Sequence, residues 1–386
     1  KEMLNDQLDA YRQGGEPDPE ALERICEALR RLALEELGED AGAEVACIDL
    51  AVDCLNEDAV RQAGLIAIYL PMHTATRLAA AALPKIRALN ASAHLAFYGL
   101  YAMANKAYLR ELGGQTILAG EVEGSLVRLY EKLSHGASTD DGDEVVLAKQ
   151  RFRVPNRKGL PELSRYATLN MGGGRKKIVG YTEATRGCKH FCRHCPVVPT
   201  YQGRFFVVES NVVLKDIRQQ VDAGAQHITF GDPDFFNGPG HAMRLAEAFH
   251  AEFPNVTYDA TIKVEHLLAH RDKLRRLVET GCLFVTTAVE EVNDAVLAKL
   301  DKGHTRADFI EVVESTRAAG LMLSPTFIPF HPWTTPTGFL DLLTLLVELD
   351  LIENVAPVQL TIRLLIPNGS RILELDEMAH YLSGFD

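Results

Sequence analysis

Apolar, strand-like runs alternate with helix-like segments over most of the chain, and this alternation limits the folds that the chain can adopt. In the first part, four runs are predicted to be strands: 44–50, 64–70, 93–99 and 116–120. Helices are predicted to follow three of them, at 74–89, 104–112 and 122–133. Apolar strands that alternate with helices indicate a parallel sheet covered on both faces. We therefore predict a doubly wound, Rossmann-like α/β domain here.

A second series of the same kind begins near residue 177. Six strands are predicted, at 178–183, 227–231, 257–263, 283–289, 321–328 and 358–365. The helices predicted between and around them lie at 209–223, 239–252, 265–280, 293–302, 305–319 and 336–350. Six such units indicate a partial (βα)6 barrel of the TIM type, in which chemistry gathers at the carboxyl ends of the strands.

The two series are separated by a polar stretch, residues 136–144, that is rich in Gly and Asp. Proline and glycine residues follow it, which favours an extended connection. The predicted organisation has three parts: a helical start with the doubly wound domain over 1–135, a linker over 136–165 and the partial barrel over 166–386. The helical start is predicted from apolar positions at close to helical spacing within 20–37.

A cysteine motif follows the first strand of the second series. Cys188, Cys192 and Cys195 are spaced C-x3-C-x2-C. A [4Fe–4S] cluster has four irons, so three thiolate ligands leave one iron open to a cofactor or substrate. We therefore predict that these three cysteines are metal ligands and catalytic residues. A zinc site is the alternative; it needs a fourth ligand, which His190 or His194 could supply.

The motif resembles that of the radical S-adenosylmethionine (SAM) superfamily, in which it lies on the loop after the first barrel strand. Phe191 before the second cysteine and Pro196 after the third add to the resemblance. The resemblance covers most of residues 165–375. It implies a [4Fe–4S] cluster whose open iron binds the methionine part of SAM. It also implies an external one-electron reductant, such as flavodoxin or ferredoxin, and cleavage of a sulfonium C–S bond.

The resemblance further implies SAM-binding positions at strand ends. Gly231, Asp232 and Asp234 stand where the family has a G-G-E-type turn, and their acceptor groups suit the SAM ammonium. A simple Asp-Pro turn is the alternative for this segment. Glu290 matches the glutamate of a G-x-E-S pattern, while Glu291 replaces the serine.

The other cofactor-binding candidates are Phe191, Lys263, Pro329 and Arg363. Arg363 stands inside an apolar run, where a charge needs a partner: a carboxylate of SAM or substrate, or an internal Asp or Glu. Trp333 follows the fifth strand. Its side chain could pack in the core or line the site, and the sequence favours neither role.

The first series resembles the cobalamin-binding domain that precedes many radical SAM domains. The usual opening strand is not evident in residues 1–40, and no D-x-H-x-x-G loop is found. His73, at the carboxyl end of a predicted strand, is the nearest candidate for a ligand below cobalt, and a polar surface histidine is the alternative. Cobalamin binding is therefore an open alternative that the sequence does not predict.

Charge and cysteine usage restrict the partners and the compartment. The net charge is −13, which disfavours nucleic acid, because phosphate neutralisation by basic side chains supplies most of that affinity. The chain has seven cysteines without a paired framework, and an oxygen-sensitive cluster agrees with a reducing cytoplasm. No apolar run reaches the length of a membrane span. We expect a cytoplasmic enzyme with a small-molecule substrate and no membrane partner.

Several segments, among them 69–76, 180–188 and 227–236, resemble a radical SAM group named for cysteine-rich C-terminal tails. The resemblance to its arsinothricin-forming members implies a transferase that moves the 3-amino-3-carboxypropyl group of SAM to trivalent arsenic, for which soft thiolates are suitable ligands. The chain starts at Lys1 and stops at Asp386 inside a continuing segment, so we expect it to be part of a longer product.

Two alternatives stay open. The first is a 5′-deoxyadenosyl-radical enzyme that acts on a small metabolite or peptide, including a cobalamin-dependent methyltransferase. The second is a non-enzymatic iron–sulfur or zinc regulator. A tRNA methylthiotransferase is disfavoured, because the sequence shows neither a basic appendage nor a second cysteine triad.

Overall fold

The computed structural model describes residues 42–50, 52–137, 144–157 and 160–382. Two mainly parallel sheets lie in these residues, one for each of the two predicted series. The helical start predicted within residues 1–40 lies outside the described residues.

The first sheet has four parallel strands in the order β1-β2-β3-β4. The strands are β1 (Leu65–Tyr69), β2 (His94–Tyr98), β3 (Thr116–Gly120) and β4 (Glu144–Val146). The helices around them are α1 (Glu57–Gln62), α2 (His73–Leu89), α3 (Leu100–Ala104), α4 (Lys106–Glu111) and α5 (Glu123–Ser134).

Helices cover both faces of this sheet. Phe97 of β2 packs on one face in a cluster that includes Leu83 of α2. Its neighbour Tyr98 points to the other face and packs in a cluster with Leu126 of α5. Since successive strand residues point to opposite faces, all five residues of β2 are buried, and those after His94 are apolar or aromatic. The doubly wound architecture predicted from the sequence is therefore confirmed.

One strand predicted for this part is absent. Residues 44–50 form no strand, although most of them are apolar; instead, backbone turns connect Asp49 to Val52 and Asp53. Conversely, the predicted linker contributes a strand, because β4 pairs with β3. Gly120 makes this pairing possible: its φ is +82°, and a Cβ there would lie 2.1 Å from the Val146 carbonyl oxygen.

The second sheet has six strands in the order β12-β11-β10-β9-β6-β5, and all its neighbours are parallel except β5 and β6. The strands are β5 (Thr168–Asn170), β6 (Lys176–Thr182), β9 (His227–Phe230), β10 (Thr257–Thr261), β11 (Cys282–Glu290) and β12 (Met322–Phe327). A separate antiparallel hairpin joins β7 (Thr185–Gly187) to β8 (Phe205–Val207).

Eight α-helices accompany these strands among the described residues. They are α6 (Val197–Tyr201), α7 (Ser210–Asp222), α8 (Pro239–Glu252), α9 (Val264–Ala269), α10 (Leu274–Glu279), α11 (Asp294–Leu300), α12 (Arg306–Ala319) and α13 (Pro336–Glu348). Helix starts follow from local chemistry. Thr305 and Asp308 form a capping box at α12, and Pro239 and Pro336 occupy first turns, where a missing N–H costs nothing.

The partial barrel is confirmed for five of the predicted strands, and the prediction of a sixth strand at 358–365 is wrong. That segment contains a 3₁₀ turn, Pro357–Thr361, and a single parallel bridge between Phe330 and Arg363. The predicted helix at 265–280 is divided into α9 and α10 by a 3₁₀ turn, Arg271–Lys273. The sequence did not predict β5 or the β7–β8 hairpin.

None of the described helices combines the length and the apolar character needed to cross a membrane.

A buried ion pair attaches the segment before β5 to helix α7 of the barrel. The guanidinium of Arg157 donates to both carboxylate oxygens of Asp216, at 2.7 and 3.0 Å, and to the Tyr181 carbonyl oxygen at 3.1 Å. Gln220 also bonds Asp216 and the Tyr181 backbone. Only 11% of the Arg157 side chain and 2% of the Asp216 side chain are exposed.

We expect Arg157→Met to lower the free energy of unfolding by about 3–5 kcal/mol, because it leaves the buried Asp216 carboxylate without a cation. Arg218→Met is the matched control. It breaks an exposed pair with Glu252 (2.8 Å), which is worth about 1 kcal/mol or less. Urea unfolding followed by circular dichroism measures both, and equal effects of the two substitutions would contradict the prediction.

Candidate active site

The three cysteines lie on the loop between β7 and α6, within the connection from β7 to β8 and after the carboxyl end of β6. Gly187 ends β7 with φ +77°, and a Cβ there would lie 2.4 Å from the Tyr201 ring, so only glycine leads into this loop without strain. Cys188 is 8% exposed and Cys192 is 7% exposed, while Cys195 is half-buried.

Burial makes these thiols poor acids on their own. It raises the pKa of Cys188 to about 12 and that of Cys195 to about 11. Metal ligation needs thiolates, and the charge of a bound cation is what deprotonates such groups. Three sulfur donors on one buried loop fit a [4Fe–4S] cluster with one iron left open. Cys188, Cys192 and Cys195 would hold it.

Asp232 and Gly231 support the hairpin in front of the cysteines. Asp232 is 2% exposed, and its two oxygens accept hydrogen bonds from the Ala184 N–H and the Thr185 hydroxyl. Burial outweighs these bonds and raises the pKa of Asp232 to about 7. A Cβ at Gly231 would lie 1.6 Å from the Tyr181 hydroxyl, which donates to the Gly231 carbonyl. Both predicted SAM contacts are thus engaged with neighbouring protein groups.

Asp234 lies against two histidines. Its Oδ2 is 2.6 Å from His266 Nδ1 and 3.5 Å from His190 Nε2. Burial alone would raise the pKa of Asp234, but the contacts with His190 and His266 outweigh it and hold the pKa below its usual value. His190 Nδ1 is also 3.1 Å from Glu265 Oε1, and Lys263 Nζ is 3.3 Å from Glu265 Oε2.

Glu290 is the centre of a second buried charge group. Its Oε1 is 3.2 Å from Lys302 Nζ and 3.2 Å from His194 Nε2. Burial would raise its pKa, but Lys302 and His194 lower it to about 2. The sequence predicted Glu290 but missed Lys302 and His194 as its partners.

The β11 end is irregular where these groups emerge. Glu290 has φ +70°, and the register with β12 shifts between Ala288 and Glu290. The next residue, Glu291, lies 2.8 Å from the buried His331 Nε2. A non-glycine residue in the left-handed region is typical of positions where a site directs a side chain.

The remaining candidates occupy different surroundings. Phe191 is 48% exposed, and the Arg371 guanidinium lies 5.9 Å from its ring centre. Pro329 is buried, and its carbonyl accepts from the Thr334 hydroxyl at 2.7 Å. Trp333 packs with the satellite core around Val296 and with Lys299 at 5.0 Å. Packing is thus the observed role of this ring.

The expected burial of Arg363 is not observed, and its contact with a carboxylate of SAM or substrate stays a prediction. Arg363 is exposed, because the predicted sixth strand is reduced to the single bridge with Phe330. Water therefore solvates its guanidinium. The sequence placed Arg363 in an apolar run, but a run without neighbouring strands does not bury its side chains.

The carboxyl edge of the first sheet lies against the cysteine loop. Helix α3 packs on α6, and Leu100 of α3 joins the apolar cluster that contains Cys188 and Tyr201. The Tyr201 hydroxyl donates to Glu121 at 2.8 Å. His73 is exposed at the start of α2, and its ring centre is 6.4 Å from that of Tyr101.

Arg186 connects the two domains. Its Nη1 contacts Glu123 Oε1 and lies 3.1 Å from Glu121 Oε2, and its Nε is 3.1 Å from Glu183 Oε2. Burial would raise the pKa of Glu123, but Arg186 and Gln150 lower it. The charge of Arg186 thus joins the end of β3 to the hairpin that carries the cysteines.

Comparison with known proteins agrees with this geometry. The sequence pattern described as the radical SAM superfamily matches residues 182–346. The tRNA-2-methylthio-N(6)-dimethylallyladenosine synthase of Geobacter sulfurreducens is 26% identical over 192 residues, which are 46% of this chain and 41% of that protein. The corresponding Fusobacterium nucleatum enzyme is 27% identical over 173 residues, 41% of this chain and 38% of that protein. The chain thus spans about two fifths of these relatives.

Two solved structures share the fold over both domains. The radical SAM methyltransferase TsrM from Kitasatospora setae, with tryptophan and a SAM analog bound, has a TM-score of 0.67 at 18% identity, covering 84% of this chain and 68% of that chain. The cobalamin-dependent radical SAM enzyme OxsB, with aqua-cobalamin and SAM bound, has a TM-score of 0.69 at 15% identity, covering 92% of this chain and 59% of that chain.

The cysteine loop at the end of the first barrel strand and these matches define the class: a radical SAM barrel joined to a domain like those that precede it in cobalamin-dependent relatives. Residues 182–346 of the chain match the radical SAM family, and they include all three cysteines. A radical SAM domain implies a [4Fe–4S] cluster and SAM as its cofactors, which agrees with the expectation from the cysteine motif.

We expect Cys192→Ala to abolish the visible absorbance of the anaerobically reconstituted cluster and to remove most of the bound iron, because two thiolates cannot hold it. Cys54→Ala is the control, since Cys54 is exposed and lies in the first domain. Absorbance near 400 nm and iron analysis check both. Full iron loading of Cys192→Ala would contradict the assignment of the ligands.

We expect the stability of the metal-free chain to fall with pH through Asp232. The folded pKa is about 7 against an ordinary value of 3.8, so this contribution is present at low pH and is lost as pH rises to 7. The difference in unfolding free energy between the wild type and Asp232→Asn should decline by about 1.4 kcal/mol per pH unit between about pH 5 and 7. Denaturant titrations at each pH measure it; a constant difference would contradict the assignment.

Proposed function

We propose that this chain cleaves SAM reductively at a [4Fe–4S] cluster held by Cys188, Cys192 and Cys195. The observation that carries the proposal is the place of these cysteines: one buried loop at the carboxyl end of the first barrel strand, beside ionised side chains from the other strand ends. When bound, the cluster supplies one electron to break a sulfonium C–S bond. The electron comes from an external reductant of the flavodoxin or ferredoxin kind.

The protein side chains orient SAM in this proposal. Glu290 is held ionised by Lys302 and His194, so it is a suitable acceptor for the SAM ammonium. Lys263 provides a buried cation near the end of β10 for a carboxylate. The remaining predicted SAM contacts stay predictions: Phe191, Gly231, Asp232, Asp234, Pro329 and Arg363. Asp232 also supports the hairpin that leads into the cysteine loop.

The finer proposal is a transferase that moves the 3-amino-3-carboxypropyl group of SAM to trivalent arsenic. Its support is the resemblance to the group with cysteine-rich tails. Of the other described cysteines, Cys282 begins β11 at the end of the barrel opposite the cysteine loop, and Cys47 and Cys54 lie before α1.

A second candidate is a 5′-deoxyadenosyl-radical enzyme or methyltransferase that uses cobalamin. The specific observation in its favour is that the carboxyl edge of the first sheet lies against the cysteine loop, so a molecule bound on that edge would adjoin the SAM site. The fold shared with OxsB and TsrM over both domains supports it. His73, exposed near that edge, stays the nearest candidate for a ligand below cobalt.

A nucleic-acid substrate is a third possibility that the relatives introduce. Those in Geobacter sulfurreducens and Fusobacterium nucleatum are named as tRNA-modifying enzymes, which counts against the expectation of no nucleic-acid partner. Their matches cover 46% and 41% of the chain at 26% and 27% identity. We keep a small molecule as the proposed substrate because of the net charge of −13.

Product analysis separates these proposals. The reconstituted protein is incubated anaerobically with SAM, dithionite and arsenite, and in parallel with cobalamin or bulk tRNA in place of arsenite. We expect methylthioadenosine together with an arsenic-containing amino acid, identified by mass spectrometry. 5′-Deoxyadenosine would support the second candidate instead. Modified tRNA would exclude the small-molecule proposal, and an intact cluster without any SAM product would overturn reductive cleavage itself; Cys192→Ala is the negative control.

A further inference from the structure

Nitrogen and oxygen donors converge next to the cysteine loop, apart from its sulfur donors. His190, Glu265 and His266 each offer one ligand atom, and these atoms all lie within 4.8 Å of one another. His190 belongs to the cysteine loop, and the other two residues belong to the first turn of α9. We propose that these three side chains form a second metal site, distinct from the cluster, for a divalent transition-metal ion such as Zn²⁺ or Fe²⁺.

The burial of unsatisfied atoms supports this site. Only 7% of the His266 side chain, none of the Asp234 side chain and 14% of the His190 side chain are exposed. Within the described residues, none of His190 Nε2, His266 Nδ1 and Asp234 Oδ2 forms a hydrogen bond of regular geometry, although they lie close together. Buried polar atoms without such bonds are costly. A cation bound to one nitrogen of each imidazole would fix the other nitrogen as an N–H donor, and these donors could then bond the Asp234 carboxylate.

The kinds of donor define the ion. Two imidazoles and one carboxylate are a common ligand set for zinc and for non-haem iron, whereas Mg²⁺ and Ca²⁺ prefer oxygen alone. Asp234 contacts both histidines, as outer carboxylates do when they orient ligating imidazoles. The Phe236 N–H donates to its other oxygen at 3.1 Å, which fixes the carboxylate.

The surroundings of Glu265 fix its position and supply charge for a cation. Gly303 has φ +76°, and a Cβ there would lie 2.2 Å from Glu265 Oε2, so a side chain would displace this carboxylate. Lys263 contacts that same oxygen and leaves Oε1 directed to His190. Glu265 and Asp234 carry two negative charges against one on Lys263, and a divalent ion compensates the excess.

Three protein ligands leave a coordination position open, which is the pattern of catalytic rather than structural metal sites. We infer that this position binds a water or an oxygen atom of the substrate beside the SAM site. The ion would thereby position a substrate that carries a carboxylate, hydroxyl or similar oxygen group.

The test measures metal and does not depend on SAM cleavage. The cluster-loaded protein is desalted, given one equivalent of zinc sulfate and desalted again, and its zinc and iron are counted by mass spectrometry. We expect about one zinc per chain without loss of iron. X-ray absorption at the zinc edge should show nitrogen and oxygen ligands at about 2.0–2.1 Å and no sulfur at about 2.3 Å.

The variants Glu265→Gln and His266→Gln should each weaken zinc binding at least about tenfold while iron content and cluster absorbance stay unchanged. His270→Gln is the matched control: its ring centre is 6.1 Å from that of His266, it lies outside the set, and its zinc binding should be unaltered. The proposal would be overturned if the zinc had sulfur ligands or if the wild type retained no zinc. It would also be overturned if both ligand variants bound zinc as tightly as the wild type.

Discussion

The contact on which this architecture most depends is the buried guanidinium of Arg186. It faces Glu121 and Glu123 from the first domain and Glu183 from its own hairpin, and 14% or less of each side chain is exposed. A buried charge that loses its partner is costly, so these carboxylates and the arginine require one another. Since Arg186 stands two residues before Cys188, the contact that joins the domains also fixes the start of the cysteine loop.

Other polar contacts hold the same loop from further sides. The Asp232 carboxylate bonds the backbone at Ala184, and the Tyr201 hydroxyl bonds Glu121 across the domain boundary. Both contacts use side chains rather than a continuous sheet, because the β7–β8 hairpin pairs with neither of the large sheets. The position of the loop is therefore determined by individual side chains from two domains. The short cysteine motif therefore depends on contacts from both domains for its position.

The sequence predicted the parallel strands well, because strands buried on both faces are continuous apolar runs, as in β2 and β3. It missed short strands such as β4, whose three residues gain their conformation from pairing with β3. It was wrong at 44–50 and 358–365, where apolar residues occur without a neighbouring strand. Local pattern does not reveal whether such a neighbour exists.

The same limit applies to the site. Cys188, Cys192 and Cys195 were predicted from one local motif, and Glu290 from a strand-end pattern. His194 reaches Glu290 across 96 residues of sequence, and His331 reaches Glu291 across 40. Pairs at such separations have no local signature, so only the folded chain shows that these carboxylates are held by partners. The raised pKa of Asp232 is likewise a product of burial and not of its neighbours in sequence.

The covering of the cysteine loop by α3 has a consequence for the protection of the cofactor. Cys188 is 8% exposed, and it packs in one apolar cluster with Tyr201 and with Leu100 of the first domain. The first domain carries none of the three cysteines, yet it contributes part of the wall that separates them from water. A change that separates the two domains would therefore expose the cysteine loop to solvent without touching a ligand.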